Sequence, residues 1–131
     1  MKLSISKEGV FVPVFNRNRE LPAADQITVR YRMPTLAVKS RCRSRPQAKA
    51  VSGADGRIEK MEITIYKDDL ATLREMLISI ANCSYGEGDK EEKIATAQNL
   101  IDAPVAFEPL LKEIVKEFDR ILDEPGIDEK N

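Results

Sequence analysis

The sequence FEPLLKEIVKEFDRIL, residues 107–122, carries the clearest structural signal in this chain. At 100° per residue its large apolar side chains fall within an arc of roughly 140°, which is the pattern of an amphipathic helix. Pro109 suits the first helical turn, where its missing N–H would be unpaired in any residue, and Glu124-Pro125-Gly126 supplies a stop. We therefore predict a helix of about 15 residues, with a stripe formed by Leu110, Leu111, Ile114, Val115, Phe118, Ile121 and Leu122.

An apolar stripe of this width needs a surface to cover it. One hypothesis is that the stripe packs into the protein's own core, and the other is that part of it also binds another chain. The charged residues lie outside the stripe, where Glu113 is spaced to pair with Lys116. On the second hypothesis, the residues of this segment that bind a partner are Phe107, Leu111, Val115, Phe118 and Leu122.

Length and composition favour a single globular domain. A chain of 131 residues can enclose one core, and 42% hydrophobic with 33% charged residues is typical of globular proteins. The net charge is −1, and the aromatic share of 5% argues against an aromatic ligand cage. We expect 1–131 to be one domain, with mainly strands and loops over 1–66, mainly helices over 67–123 and a flexible tail over 124–131.

Enzymatic and metal sites are disfavoured by the residues that the chain lacks. There is no histidine, which excludes a Ser-His-Asp triad, a Cys-His dyad and a histidine-ligated metal. Cys42 and Cys83 have no Cys-x-x-Cys arrangement and are interpreted as reduced thiols. We therefore expect no catalytic site, no metal and no cofactor.

The N-terminal residues MKLSISKE carry charge too early for a secretory signal, and no apolar run approaches the ~18 residues of a membrane span. We expect a protein that stays in the cell that makes it, without a membrane partner.

Alternating apolar residues predict strands in the first half of the chain. Residues 2–6 and 10–15 read as a hairpin, with Pro13 restricting the second run to an edge strand or a strand end. Residues 27–32 alternate as a half-buried strand with Ile27, Val29 and Tyr31 on one face, and Thr35 is placed to cap a short helix.

A run of basic residues without an acidic neighbour extends from Gln26 to Ala54. One hypothesis is a nucleic-acid-binding regulator in which these side chains contact phosphates. The alternative is a solvated or protein-facing surface, which is favoured because no aromatic residue between Tyr31 and Tyr66 could stack on a base. The basic residues are Arg30, Arg32, Lys39, Arg41, Arg43, Arg45 and Lys49.

A second helix is predicted after a turn at 52–56 and a strand that ends near Ile65, with Asp68 as its N-cap. Its apolar residues share an arc of roughly 160°, and they are Leu70, Leu73, Met76, Leu77, Ile80, Ala81 and Cys83. Ile78 lies off this arc, which makes it a candidate for contact with a partner.

The rest of the chain completes an α+β pattern. Residues 82–89 are predicted to be a loop, and their acids lack the spacing of a calcium loop. Thr96 is placed to cap a short helix that ends at Asp102-Ala103-Pro104. We predict N-terminal antiparallel strands packed against C-terminal amphipathic helices.

Two separated passages carry a family resemblance. The first consists of Phe11-Val12-Pro13, Asn18-Arg19-Glu20-Leu21-Pro22, Gln26-Ile27-Thr28-Val29, Tyr31-Arg32 and Pro34-Thr35. The second consists of Ile94-Ala95-Thr96-Ala97, Ala103-Pro104, Leu110, Glu113-Ile114-Val115 and Asp128-Glu129-Lys130-Asn131. In this order they resemble the tail assembly chaperones encoded by long-tailed bacteriophages and prophages.

The resemblance implies a non-enzymatic role. Such chaperones bind the tape measure protein in the cytoplasm of the bacterial host, help to recruit tail tube subunits and are absent from the mature virion. The resemblance supplies no motif for individual binding residues. We also expect a weak homo-oligomer, because Ile78 lies off the core arc and the stripe is wider than a two-position seam.

Chaperones of this kind are commonly made in two lengths through a backward ribosomal slip. The residues Glu129-Lys130-Asn131 are those that a slippery GAA-AAA-AAC sequence would encode. We therefore hypothesise a programmed frameshift at this point, which the nucleotide sequence would test.

Overall fold

The computed structural model describes residues 1–42, 48–52, 58–63 and 66–124, and it describes side chains for 1–42 and 69–124. The strands are β1 Glu8–Phe11, β2 Thr28–Arg32, β3 Ala48–Ser52, β4 Ile58–Ile63, β5 Leu77–Ala81, β6 Ser84–Glu87 and β7 Lys90–Lys93. The helices are α1 Leu36–Cys42, α2 Tyr66–Met76, α3 Ala97–Ile101 and α4 Glu108–Asp123. Short 3₁₀ segments cover Phe15–Glu20, Ala23–Asp25 and Val105–Phe107.

The main sheet has the antiparallel order β1-β2-β5 and packs against α4. The predicted strand at 27–32 is confirmed as β2, whose Val29 is fully buried. The rings of Tyr31 and Phe118 lie 5.5 Å apart between centroids, which joins the sheet to the helix. The predicted α+β class is therefore confirmed, although β5, β6 and β7 lie in the half of the chain that was expected to be mainly helical.

The hairpin predicted between 2–6 and 10–15 is wrong. Residues 1–6 form no strand, and β1 begins at Glu8 inside the predicted turn and pairs with β2 instead. This pairing sets Phe11 opposite Val29, so Phe11 packs against the core. A one-residue slip would turn Phe11 to the opposite face of the sheet, which is how a buried face fixes strand register.

Gly9 stands opposite Tyr31 in the same ladder, and the Tyr31 ring occupies the space that a Cβ on Gly9 would need. The close approach of the ring therefore requires glycine at this position. β1 is an edge strand that ends two residues before Pro13, as Pro13 predicts.

The helix predicted to run through Cys83 ends at Met76, and the following residues form β5. Tyr31 pairs with Leu77 while Arg30 pairs with Ser79, so Ile78 is the extra residue of a β-bulge. The bulge returns Leu77 to the same face as Ile80, and both side chains are buried. Buried residues three apart imitate a helical period, which explains why this strand read as helix.

The N-terminus of α2 also differs from the prediction. The helix begins at Tyr66, so Asp68 lies within its first turn and is not the N-cap. The predicted strand before it is confirmed as β4, although Ile65 and most of the turn over 52–56 lie outside the described residues.

The predicted loop over 82–89 is wrong, because residues 84–89 are the first strand and turn of a β6–β7 hairpin. The two-residue turn Gly88-Asp89 has φ 64° at Gly88, a conformation that glycine adopts at little cost. The Gly-Asp pair was the available signal for this hairpin.

Helices α1, α3 and α4 follow the predictions closely. Thr35 Oγ1 accepts the backbone N–H of Val38 at 3.1 Å, and Thr96 forms a capping box with Asn99. All seven predicted stripe residues of α4 are buried. Within the described residues, no helix is long and apolar enough to cross a membrane. The tail after Glu124, with Glu129-Lys130-Asn131, lies outside the described residues.

Candidate partner-binding surface

The helix stripe that was a candidate for partner binding lies in the protein's own core. Leu111, Val115, Phe118 and Leu122 are each at most 8% exposed. They are not accessible to a partner in this fold, so the first of the two hypotheses describes them. Any partner must bind to side chains outside this stripe.

The other two candidate residues, Ile78 and Phe107, are only partly buried. Ile78 is the extra residue of the β5 bulge and follows the buried Leu77. Phe107 lies at the start of α4, and its ring centroid is 5.9 Å from that of Phe15 and 5.7 Å from that of Tyr85. Phe107 is therefore held by aromatic contacts while part of it faces outward.

Apolar side chains surround Phe107 on the surface. Val105 is 81% exposed and Leu21 is 47% exposed, and Ala106 is also exposed. We call Phe15, Leu21, Val105, Ala106 and Phe107 the Phe107 ledge. It combines two exposed large aliphatic residues with two partly buried aromatic rings, which is a composition typical of binding surfaces.

Two depressions are lined in part by Phe107. One is a cavity of about 350 Å³ whose lining includes Phe15, Leu21 and Ala106. The other is a cavity of about 150 Å³ whose lining includes Val105 and Leu111. Phe107 lines both, so the two cavities adjoin at this residue.

Glu113 fastens the ledge to α4. Its carboxylate accepts the backbone N–H of Val14 at 2.7 Å and that of Phe15 at 3.1 Å. The prediction that Glu113 lies on the solvated face of α4 and pairs with Lys116 missed these contacts. A carboxylate that accepts two backbone N–H groups makes charge-assisted hydrogen bonds, which hold Phe15 against the helix.

Two asparagines shape the wall of the larger cavity. Asn18 is almost fully buried, and its Nδ2 donates to Pro13 O at 2.8 Å and to Ile27 O at 3.0 Å. Asn82 has φ 60° and donates from Nδ2 to the carbonyl oxygens of Ala24 and Gln26 at 2.9 and 3.0 Å. Since these amides are already paired with backbone, they act as supports for the cavity wall.

The charges at the rims are mainly acidic. Asp25 is the one charged residue among those that line the larger cavity in the described chain. Asp69, Glu108 and Lys112 line the smaller one, where Lys112 Nζ lies 2.9 Å from Glu108 Oε1. The ledge is therefore an apolar surface between rims with three carboxylates and one ammonium group.

Cys83 lines the larger cavity but is poorly suited to nucleophilic chemistry. Burial raises the pKa of its thiol above the ordinary value of 9.0, which keeps the thiol protonated near neutral pH. Across the described ranges, no group of three or more metal-ligating side chains comes together. The arrangement is suited to binding by shape and charge.

A second apolar depression lies beside the C-terminal end of α4. It has a volume of about 210 Å³, and Ile5, Met33, Leu36 and Ile121 are among its lining residues. Leu36 is 87% exposed. Its rims carry Lys39 and Glu124, so it has no net charge of either sign.

Part of the predicted basic patch is neutralised by ion pairs. Arg30 Nη2 lies 2.6 Å from Glu8 Oε2, and Arg41 Nη2 lies 3.1 Å from Glu75 Oε1. An acidic partner within the same chain lowers the attraction that these guanidinium groups offer to phosphates. This geometry does not favour a nucleic-acid interface.

Of the remaining basic residues, Arg32 and Lys39 have described side chains. Arg32 is exposed on β2, while Lys39 belongs to the depression beside α4. The side chains of Arg43, Arg45 and Lys49 lie outside the described residues, although the backbone of Lys49 is part of β3.

Sequence reasoning found Phe107 but missed Phe15, Leu21 and Val105. These residues have no periodic pattern, and Phe15 meets Phe107 only because distant segments of the chain fold together. The exposed dipeptide Val105-Ala106 between Pro104 and Phe107 was the one local signal for this surface.

No protein-family model, curated protein or solved structure matches this chain.

Proposed function

We propose that this protein is a tail assembly chaperone of a long-tailed bacteriophage or prophage. It binds the tape measure protein in the cytoplasm of the bacterial host, helps to recruit tail tube subunits and does not remain in the mature virion. It has no enzymatic role in this proposal.

The observation that carries the proposal is the exposure of large apolar side chains. Among the described side chains they are Met1, Leu3, Ile5, Val10, Val14, Leu21, Leu36 and Val105. Single exposed aliphatic residues are ordinary, but Leu21 and Val105 line two cavities that share Phe107. A chaperone for an aggregation-prone helical protein needs such a surface to cover the apolar faces of its partner.

The family resemblance also supports the proposal, and several of the residues that carry it have defined structural roles. Asn18 is the buried anchor between Pro13 and Ile27. Thr96 provides the cap of α3, and Glu113 fastens α4 to Val14 and Phe15. The resemblance therefore rests on residues with specific structural tasks in this fold.

Many copies along one tape measure protein would make a weak contact sufficient. Linked binding events raise the overall avidity without any new contact. A shallow surface such as the Phe107 ledge suits a partner that is coated by many chaperones and later released.

Co-expression with the tape measure protein from the same gene cluster tests this proposal. We expect a larger soluble fraction of the tape measure protein and its co-purification with this chain. Co-expression without any gain in solubility and without co-purification would refute the proposed function.

A further inference from the structure

We propose that the Phe107 ledge binds an amphipathic helix whose apolar face is flanked by lysine or arginine. This inference rests on the proposed function for the identity of the partner, but the chemistry of the bound helix follows from the surface itself. Two cavities adjoin at Phe107, and carboxylates are among the residues that line them.

The shape of the ledge selects a helix. Phe107 lines both the cavity of about 350 Å³ and that of about 150 Å³, so an occupant that fills both must span this residue. Residues one or two turns apart on a helix are ~5 to 10 Å apart along its axis, a spacing that can straddle one aromatic ring. Helix recognition by apolar anchors in a groove is a common binding mode.

The charges select basic flanks. Among the described lining residues, Asp25 lies at the larger cavity and Asp69 and Glu108 lie at the smaller one, where Lys112 is the one basic residue and is paired with Glu108. Acidic rims attract a positively charged partner and disfavour an acidic one. The depression beside α4 lacks this bias, because its rims carry one lysine and one glutamate.

The support beneath the ledge is preorganised. Glu113 holds the backbone at Val14 and Phe15, and Asn82 holds the segment that contains Ala24. A surface that is already ordered loses less conformational freedom when a partner binds. The ledge can therefore bind a helix without rearrangement of the core.

Two synthetic helical peptides test the proposal on the full chain. Both carry leucines at i, i+4 and i+7, and they differ only in lysine or glutamate flanks. We expect the lysine peptide to perturb the NMR amide resonances of Leu21 and Val105–Phe107, and to bind more tightly than the glutamate peptide. Added salt should reduce this preference.

The variant Val105→Asp should lower the affinity for the lysine peptide by about tenfold, because the substitution places a carboxylate in the apolar contact. Val10→Asp is the matched control, since Val10 is also exposed, at 63%, but lies on β1. Both substitutions are at exposed sites, so thermal unfolding should show that both variants fold.

Equal binding of the lysine peptide to Val105→Asp and to the wild type would overturn the proposal. Perturbations confined to Ile5 and Leu36 would overturn it as well, and so would a complete lack of peptide binding. Equal affinity for the two peptides would refute the part of the proposal that requires lysine or arginine beside the apolar face of the helix. Because no tape measure protein is present, failure of the ledge and failure of the proposed function are separate results.

Discussion

At the scale of single residues, Glu113 connects the two ends of the chain. Its carboxylate accepts N–H groups from Val14 and Phe15, which are separated from it by 99 and 98 residues. Contacts of this kind leave no local trace in a sequence. The spacing of Glu113 and Lys116 predicted only a local ion pair.

Replacement of Glu113 by glutamine should lower the free energy of unfolding by roughly 1 to 3 kcal/mol, because two backbone N–H groups lose a charged acceptor. Glu117→Gln is a matched control on the same helix. Glu117 bonds to Arg120 at the surface, where loss of an ion pair costs about 1 kcal/mol or less. Denaturant unfolding of both variants gives the comparison. If Glu113→Gln and Glu117→Gln lost the same free energy of unfolding, the hydrogen bonds from Val14 and Phe15 would add no stability.

The second prediction at this scale concerns alkaline pH. Burial raises the pKa of Cys83 above 9.0 and is the main cause that raises the pKa of Tyr31 above 10.0; the charge of Glu117 adds to the effect on Tyr31 and Arg120 opposes it. The unfolded chain therefore releases these protons at lower pH than the folded chain. Stability from both groups is fully present below pH 9.0 and is lost as the pH rises through the folded pKa values.

Unfolding experiments across this pH range should show a less steep loss of stability for Cys83→Ala and Tyr31→Phe than for the wild type. The reason is that each variant removes one group whose ionisation opposes folding. If both variants lost stability with the same pH dependence as the wild type, these two groups would not be linked to folding.

At the scale of elements, β5 shows how a bulge changes the burial pattern. Ile78 is inserted between the residues that pair with Arg30 and Tyr31, and the insertion brings Leu77 and Ile80 to the same buried face. A strand normally alternates sides at every residue. The interrupted alternation is the physical reason that the sequence predicted a continuous helix.

The strand geometry predicts unequal costs for two neighbouring truncations. Leu77→Ala should cost about 2 to 4 kcal/mol, because it removes a side chain that is 5% exposed in the core. Ile78→Ala should cost about 1 kcal/mol, since Ile78 is only partly buried. Chemical denaturation measures both. A cost for Ile78→Ala equal to or larger than that for Leu77→Ala would contradict the bulge.

Prediction from the sequence worked where a local pattern determined the element. The seven buried residues of α4 repeat at helical spacing, and the caps of α1 and α3 each depend on a threonine whose Oγ1 accepts the backbone N–H three residues later. The pairing of β1 with β2 and the contact of Phe15 with Phe107 join distant segments. Those contacts depend on the folded chain as a whole, which local periodicity cannot specify.

At the scale of the whole molecule, the core and the proposed binding surface both involve the α4 region. The stripe of α4 is enclosed by the sheet and the other helices, while Phe107 at its N-terminal end remains partly exposed. The α4 stripe was a good guide to the core, since all seven of its residues are buried. Phe107 was the one partner-binding candidate on the stripe segment that the structure places at the surface ledge.

The separation of core and ledge allows the ledge to be altered without loss of the fold. Val105 is 81% exposed, so a charge at this position should change binding and leave stability almost unchanged. The same substitution at a stripe residue such as Phe118 would unfold the protein and reveal nothing about binding.

The central claim is that the Phe107 ledge binds the tape measure protein. The most direct measurement is the amount of full-length tape measure protein that co-purifies with equal amounts of wild type, Val105→Asp and Val10→Asp. We predict that the wild type and Val10→Asp retain the tape measure protein and that Val105→Asp loses most of it, by about tenfold if its affinity falls by about 1.4 kcal/mol. Equal retention by Val105→Asp and the wild type would contradict the claim.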